Sequence, residues 1–311
     1  MRLTRSKSKS LRKKMKTNSS AENMFIITLM NMIGSQLKRY KFSDNDFSEF
    51  EKALQNLNFK KLPKLSKVLG RRILKRNREG FDGIMSSLLE GLTQTKKKKN
   101  EEKLFKQSVN SLAKEEKFFG PVLEKFNENI SKIKEVPFEV TKILRKAYLN
   151  GEGLRGTEFE KLIYERMKKR AKLIVRTESS KINAVFTEVR AKALNIKGYI
   201  WSSSGDKRVR DSHNKLDGVL IFWNDPPTFR SISKKGNVSE MIGNAGEFPN
   251  CRCVSLPVFE LEDIQFPIKV AERAVLTDKY MGKNKYNLTV KGITTYTKAK
   301  FLEKFGTIIK R

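Results

Sequence analysis

The chain is 311 residues long, enough at about 150 residues per domain for two domains with cores of their own, and this excludes a peptide or mini-protein. Sixty-six Lys and Arg against thirty-four Asp and Glu give a formal charge of +32 at 38% hydrophobic content, so the natural partner is a polyanion. One histidine, His213, and two cysteines, Cys251 and Cys253, cannot build a His-rich metal cluster, a multi-finger zinc protein or a disulfide framework.

Residues 1–20 hold eight Lys or Arg and no acid among Ser, Thr and Asn, the composition of a basic disordered arm. The apolar tract Met24 to Ile33 is broken by Thr28 and Asn31 and falls short of the roughly 18 residues that span a bilayer. Together with the basic Arg2 to Lys16 it imitates a signal peptide, but no small-x-small site follows Gly34, so an amphipathic helix and no membrane partner are expected. Two cysteines one residue apart make a poor structural bridge, which points to folding in a reducing, intracellular place.

Residues 21–155 read as a helical basic region. Apolar residues recur at helical spacing, as in Phe47, Phe50, Leu54 and Leu57, while Pro63, Gly120-Pro121 and Pro137 divide the pattern. Lys60 to Arg78 carries nine basic residues and no acid, and Lys96, Lys97, Lys98 and Lys99 run unbroken. Arg71, Arg72, Lys75, Arg76 and this lysine run are the candidate DNA-binding residues, contacting phosphates without reading bases. After a glycine-rich break at 150–156, residues 156–198 form a long helical lead-in. Phe159, Ile163, Met167, Ala171 and Ile174 make one stripe of it, Ile182, Val185, Phe186, Val189 and Ala193 a second, and Lys197-Gly198 is the expected stop.

From residue 199 to 260 the pattern changes to short strand-like runs: Tyr199 to Trp201, Val219 to Trp223 and Val254 to Phe259, separated by turn residues. This window holds eight basic and seven acidic residues, a net +1, so the other residues carry +31. Electrostatic function and module are separable in sequence. Residues 261–311 are a basic C-terminal extension, with 289–297 extended and 298–309 helical. The fold class is α+β: a mostly helical N-terminal region followed by a small α+β C-terminal module with short antiparallel strands.

The residues able to carry chemistry crowd into that module: Trp201, Asp206, Arg208, Arg210, His213 and Gly218, then Cys251, Arg252 and Cys253. Asp206 is placed to cap a helix starting at Lys207, with His213 near its end, and Asp217-Gly218 to turn the chain into the next strand. Three readings are open. In the favoured one, Asp206, Arg208 and Arg210 pair in a buried structural network and the cysteines pack as small apolar groups. In a second, His213, Cys251 and Cys253 bind zinc, with Asp206 or Asp211 as a fourth ligand; against it, neighbouring strand residues at Cys-x-Cys spacing point to opposite faces. In a third, His213 serves as the base of a nuclease or toxin, but a second histidine and every common phosphate-loop or metalloprotease motif are missing. No cofactor, no metal and no enzyme are therefore expected, and removing Asp206 should harm the fold more than removing His213.

The order Trp201, Asp206-x-Arg208-Val209, His213, Leu216, Gly218, a proline-containing turn and Asn250-Cys251-Arg252-Cys253 closely resembles the C-terminal signature of the Mu F-like head morphogenesis family of phage minor head proteins. Arg176-Thr177-Glu178 resembles that family's entry into the module, and the likeness runs from about Lys161 to Phe259. Some members place cysteines where Arg210 and His213 stand here, and a histidine at the position of Phe248. The resemblance implies a structural protein present in few copies at the portal or capsid interior, acting in head assembly and in DNA packaging or ejection. Its implied partners are the portal protein, a major capsid or scaffold protein and, without sequence specificity, phage DNA. Its implied place is the virion head, and the host cytoplasm during assembly.

Overall fold

The computed structural model describes residues 12, 13, 15, 19–39, 47–89, 116–149, 156–259, 261–282 and 285–309. Most of the basic arm, the lysine run 96–99 and the break at 150–155 lie outside them. The helices are α1 (Ser19–Leu37), α2 (Phe47–Gln55), α3 (Leu62–Leu89), α4 (Glu116–Ser131), α5 (Val136–Leu149) and α6 (Gly156–Ala193). There follow β1 (Gly198–Ser202), α7 (Asp211–Lys215), β2 (Leu220–Phe222), β3 (Thr228–Ile232), β4 (Val238–Ile242), β5 (Val254–Pro257), β6 (Ile268–Gly282), β7 (Lys285–Tyr296) and α8 (Lys298–Ile309). The chain is α+β, as its sequence pattern predicts. Two compact units are formed, one from 18–73 and 120–179, the other from 1–17, 74–119 and 180–311.

The first unit is helical. Phe25, Leu29, Ile33 and Leu37 recur every four residues along α1 and are buried, and Ile163, Met167, Ala171 and Val175 do the same along α6. This first stripe of α6 continues with Val175 where the sequence pattern names Ile174, because four-residue steps keep a side chain on the inward face. Pro63 and Pro137 each sit second in their helices, where the missing N–H would be unpaired anyway. Pro121 does not divide the chain: it lies sixth in α4, and the helix runs through it. The reciprocal bonds Asn58 N to Gln36 Oε1 (2.7 Å) and Gln36 Nε2 to Asn58 O (3.1 Å) fix the turn before α3.

The second unit is built on a seven-stranded mixed sheet in the order β4-β3-β6-β2-β1-β5, with β7 pairing β6. The strands expected at 199–201, 219–223 and 254–259 are β1, β2 and β5, and β1 pairs antiparallel with both others. Two features depart from the sequence reading. The β3–β4 hairpin lies where no strand was expected, its β4 exposed at every position, so alternation carries no signal there. The sheet also does not close at residue 260, since β6 runs parallel to β2 at Val270 and to β3 along Val275–Lys279 while its other edge carries β7. The extension 261–311 thus belongs to the module: Phe301 and Phe305 of α8 pack on Phe266 and Phe222 at 5.3 Å each.

The stop of α6 is also displaced from its expected place. Asn195 takes the left-handed conformation (φ 57°), and Ile196 N donates to Ala191 O at 2.9 Å, a glycine-type cap met by asparagine. Gly198 serves the sheet instead, because a Cβ there would stand 2.7 Å from the Ile221 carbonyl oxygen. At the bulge in β6, Arg273 has φ 46°, and Gly292 opposite it passes so close that a Cβ would meet Glu272 O at 2.4 Å. No helix among the described residues is long and apolar enough to cross a membrane.

Candidate functional site

The sole histidine and both cysteines converge. α7 starts at Asp211, four residues later than the sequence reading has it, which puts His213 at its centre and turns the ring inward. Pro249-Asn250 then curls the chain: Asn250 adopts φ 54° and Cys251 N donates to Phe248 O at 3.0 Å. Residues 251–253 are consequently not a strand, and the alternation that would separate the two sulfurs is absent. Cys251 Sγ and Cys253 Sγ lie 3.5 and 3.6 Å from His213 Nδ1, and Cys253 N donates to Cys251 Sγ at 3.4 Å. All three ligand atoms fall within 4.8 Å of one another.

Aromatic rings enclose this group. Trp201 meets the imidazole edge-on at 5.5 Å, Phe229 and Phe248 stand 4.9 and 5.1 Å from it, and these two contact each other at 4.5 Å. His213 is 3% exposed and its Nε2 has no hydrogen-bond partner among the described residues. Proximity of the thiols splits their acidities. The Cys253 S–H and the histidine hold the Cys251 thiol well below its ordinary range, and the charge so formed, with burial, pushes Cys253 up.

The charged residues sit outside, which corrects the expectation of a buried network. Asp206 accepts two bonds from the Arg252 guanidinium, that from Nη2 at 2.7 Å, and a third from Arg208 N at 2.9 Å. Arg252 and the Arg208 amide hold its carboxyl far below the usual range, yet the pair is open to water. Arg208 reaches Asp206 only at 3.7 Å with 75% of its side chain exposed, and Arg210 donates to Pro249 O at 3.0 Å instead of joining them. The physical reason is length: these side chains lie on a turn at the surface and extend into solvent. Gly218, at φ 78°, turns the chain into β2 as expected, donating to Trp201 O at 2.9 Å.

The sequence reading missed several supports. Asp217 Oδ1 accepts from Ser203 N at 2.7 Å, and Arg12, from the basic arm, donates to Ser204 O and Arg252 O at 3.3 Å each. Met15, from the same arm, is buried. Asn77, Asn183, Thr187 and Arg190 form a buried polar cluster for which the one signal was a long cation four residues after Phe186 on the apolar stripe. Of the candidate phosphate contacts, Arg71, Arg72 and Lys75 are exposed, and Arg76 is half-buried beside Glu79 at 3.8 Å. Lys60, Lys61, Lys64 and Lys67 are exposed as well.

A mixed sheet whose Trp-bearing strand β1 covers a His-Cys-Cys group defines a small α+β module attached to helical and basic sequence. Residues 139–256 match the family described as Phage Mu protein F like protein. The chain is 32% identical to minor head protein GP7 of Bacillus phage SPP1 over 141 residues, 41% of this chain and 42% of that protein. It is 39% identical over 92 residues to an uncharacterized protein of Haemophilus influenzae, covering 30% of this chain and 18% of that one. Over 97 residues it is 35% identical to an NAD(+)–arginine ADP-ribosyltransferase of Enterococcus faecalis, 30% of this chain and 19% of that protein. The chain thus spans less than half the length of each of these relatives. No solved structure gives a significant match.

Proposed function

We propose that the protein is a structural minor head protein of a tailed phage, acting in head assembly from the portal or capsid interior and touching the packaged genome. The observation that carries this reading is the shared segment with minor head protein GP7, which extends beyond the module into 141 aligned residues. The site favours architecture over chemistry. A general base must reach its substrate, whereas His213 is sealed beneath Trp201, Phe229 and Phe248, which counts against a nuclease or toxin. Portal protein and major capsid or scaffold protein are the partners this role requires. In the phage that encodes the chain, mass spectrometry of purified heads should find it at a few copies per particle, and a deletion should yield defective heads. Heads of normal yield and infectivity without it would overturn the assignment.

DNA contact is proposed on charge. Most of the +32 lies outside the module, and the exposed lysines at 60, 61, 64 and 67 leave repulsion that a polyanion relieves. Duplex binding by the full chain should weaken steeply with salt and show no sequence preference. Changing these four lysines to Gln should flatten the log–log salt slope by about 0.9 for each phosphate that is no longer neutralised. A slope unmoved by the four changes would place the affinity elsewhere.

A further inference from the structure

We propose that His213 Nδ1, Cys251 Sγ and Cys253 Sγ are the protein ligands of one thiophilic metal ion of the zinc type, which ties α7 to the 248–253 turn. The proposal rests on geometry and is independent of the head-protein reading. Zinc sits about 2.3 Å from sulfur and 2.0–2.1 Å from imidazole nitrogen in a tetrahedron, so the edge from sulfur to nitrogen is about 3.5 Å long. The two such distances here are 3.5 and 3.6 Å. They match a tetrahedral edge twice over, from one nitrogen to two sulfurs separated by a single residue.

Three further observations point to an ion. All three residues are buried, and burial of such a set is stable only when its polar atoms are satisfied, which one ion would do for Nδ1 and both sulfurs together. Trp201, Phe229 and Phe248 pack around the ring and set its plane, and Nδ1 is the nitrogen presented to both sulfurs. Two sulfurs and one imidazole form a soft donor set, which selects zinc-type ions over magnesium or calcium. No carboxylate joins the group among the described residues, so the protein supplies three ligands and leaves the fourth to a small exogenous one such as water. The objection from Cys-x-Cys spacing does not apply, because the turn at Asn250 brings both sulfurs to one side.

The test uses the full chain stripped with chelator and titrated with Co²⁺ and with Zn²⁺. One ion per chain is expected, with thiolate-to-cobalt charge-transfer bands, intense tetrahedral d–d bands, and protection of both thiols from a disulfide reagent. His213→Ala and Cys253→Ser should each weaken Co²⁺ binding by at least about tenfold, a ligand mattering no less than the groups that orient it. Phe248→His, which adds an imidazole beside the existing one, should tighten it in a competition titration. Should the ligand variants fail to fold, thiol reactivity of the unaltered chain with and without Zn²⁺ decides alone. Substoichiometric metal at saturation, a cobalt spectrum without thiolate bands, or thiols equally reactive in both conditions would overturn the proposal.

Discussion

Asn77→Ala is expected to cost about 3 kcal/mol of stability, because it orphans several buried partners at once. Asn77 Nδ2 lies 3.2 Å from Asn183 O, 3.0 Å from Asn183 Oδ1 and 2.8 Å from Thr187 Oγ1, and its Oδ1 accepts from Arg190 Nε at 3.1 Å. Arg190 is 1% exposed, with its guanidinium over the Phe119 ring at 5.0 Å and Nη1 unpartnered among the described residues. Burial pulls its pKa down to about 10, so it is still charged at neutral pH. Removing its Nε acceptor strands part of a buried cation. Arg190→Met removes the charge and leaves only the neutral Asn77 Oδ1 acceptor unpaired, and is expected to be milder, because an orphaned carbonyl costs less than a stranded buried cation. Urea unfolding of the two variants checks this; a loss under about 1 kcal/mol for Asn77→Ala, or equal losses for both, would show that packing and not the orphaned cation sets the cost.

His213→Ala should lower stability by about 2–3 kcal/mol even with chelator present, since deleting a buried ring leaves a cavity among aromatic neighbours. Asp206→Ala should move the melting temperature little, because its pairs with Arg252 and Arg208 face water and are screened by salt. This order is the reverse of what the sequence alone suggests. Asp206 has its carboxyl depressed, so the stability it adds is present above the ordinary carboxylate range and fades as pH falls through and below that range. Melts at neutral and at strongly acidic pH, in low and high salt, separate the effects: the Asp206 difference should shrink on acidification and in salt, and the His213 difference should survive added salt. A His213→Ala protein of unchanged stability that enters heads and yields dead particles would instead favour chemistry at this site.

Much of the architecture was legible because it follows from local rules. The apolar tract Met24 to Ile33 announced α1 and apolar steps of three or four residues announced α6, short apolar and aromatic runs announced β1, β2 and β5, and Gly218 announced its turn. The motif residues likewise marked the right module, since the single histidine and both cysteines could be read there without coordinates. Other elements left no local trace. β4 is exposed throughout and shows no alternation, and β6 owes its central place to pairing with strands far earlier in the chain, at Leu220↔Val270 and Thr228↔Val275.

The division within the site has the same cause. Composition set which side chains the module could use and their charge, soft sulfurs and an imidazole beside hard carboxylates. Tertiary structure decided which of them meet. Asp206, Arg208 and Arg210 are close in sequence and looked like a network, yet long charged side chains on a surface turn diverge into water. His213 and Cys251 are 38 residues apart, and they touch because a left-handed asparagine at 250 and the start of α7 at Asp211 aim both inward under Trp201. Local spacing encodes conformation, but contact between distant groups is fixed only when the sheet closes its core around them.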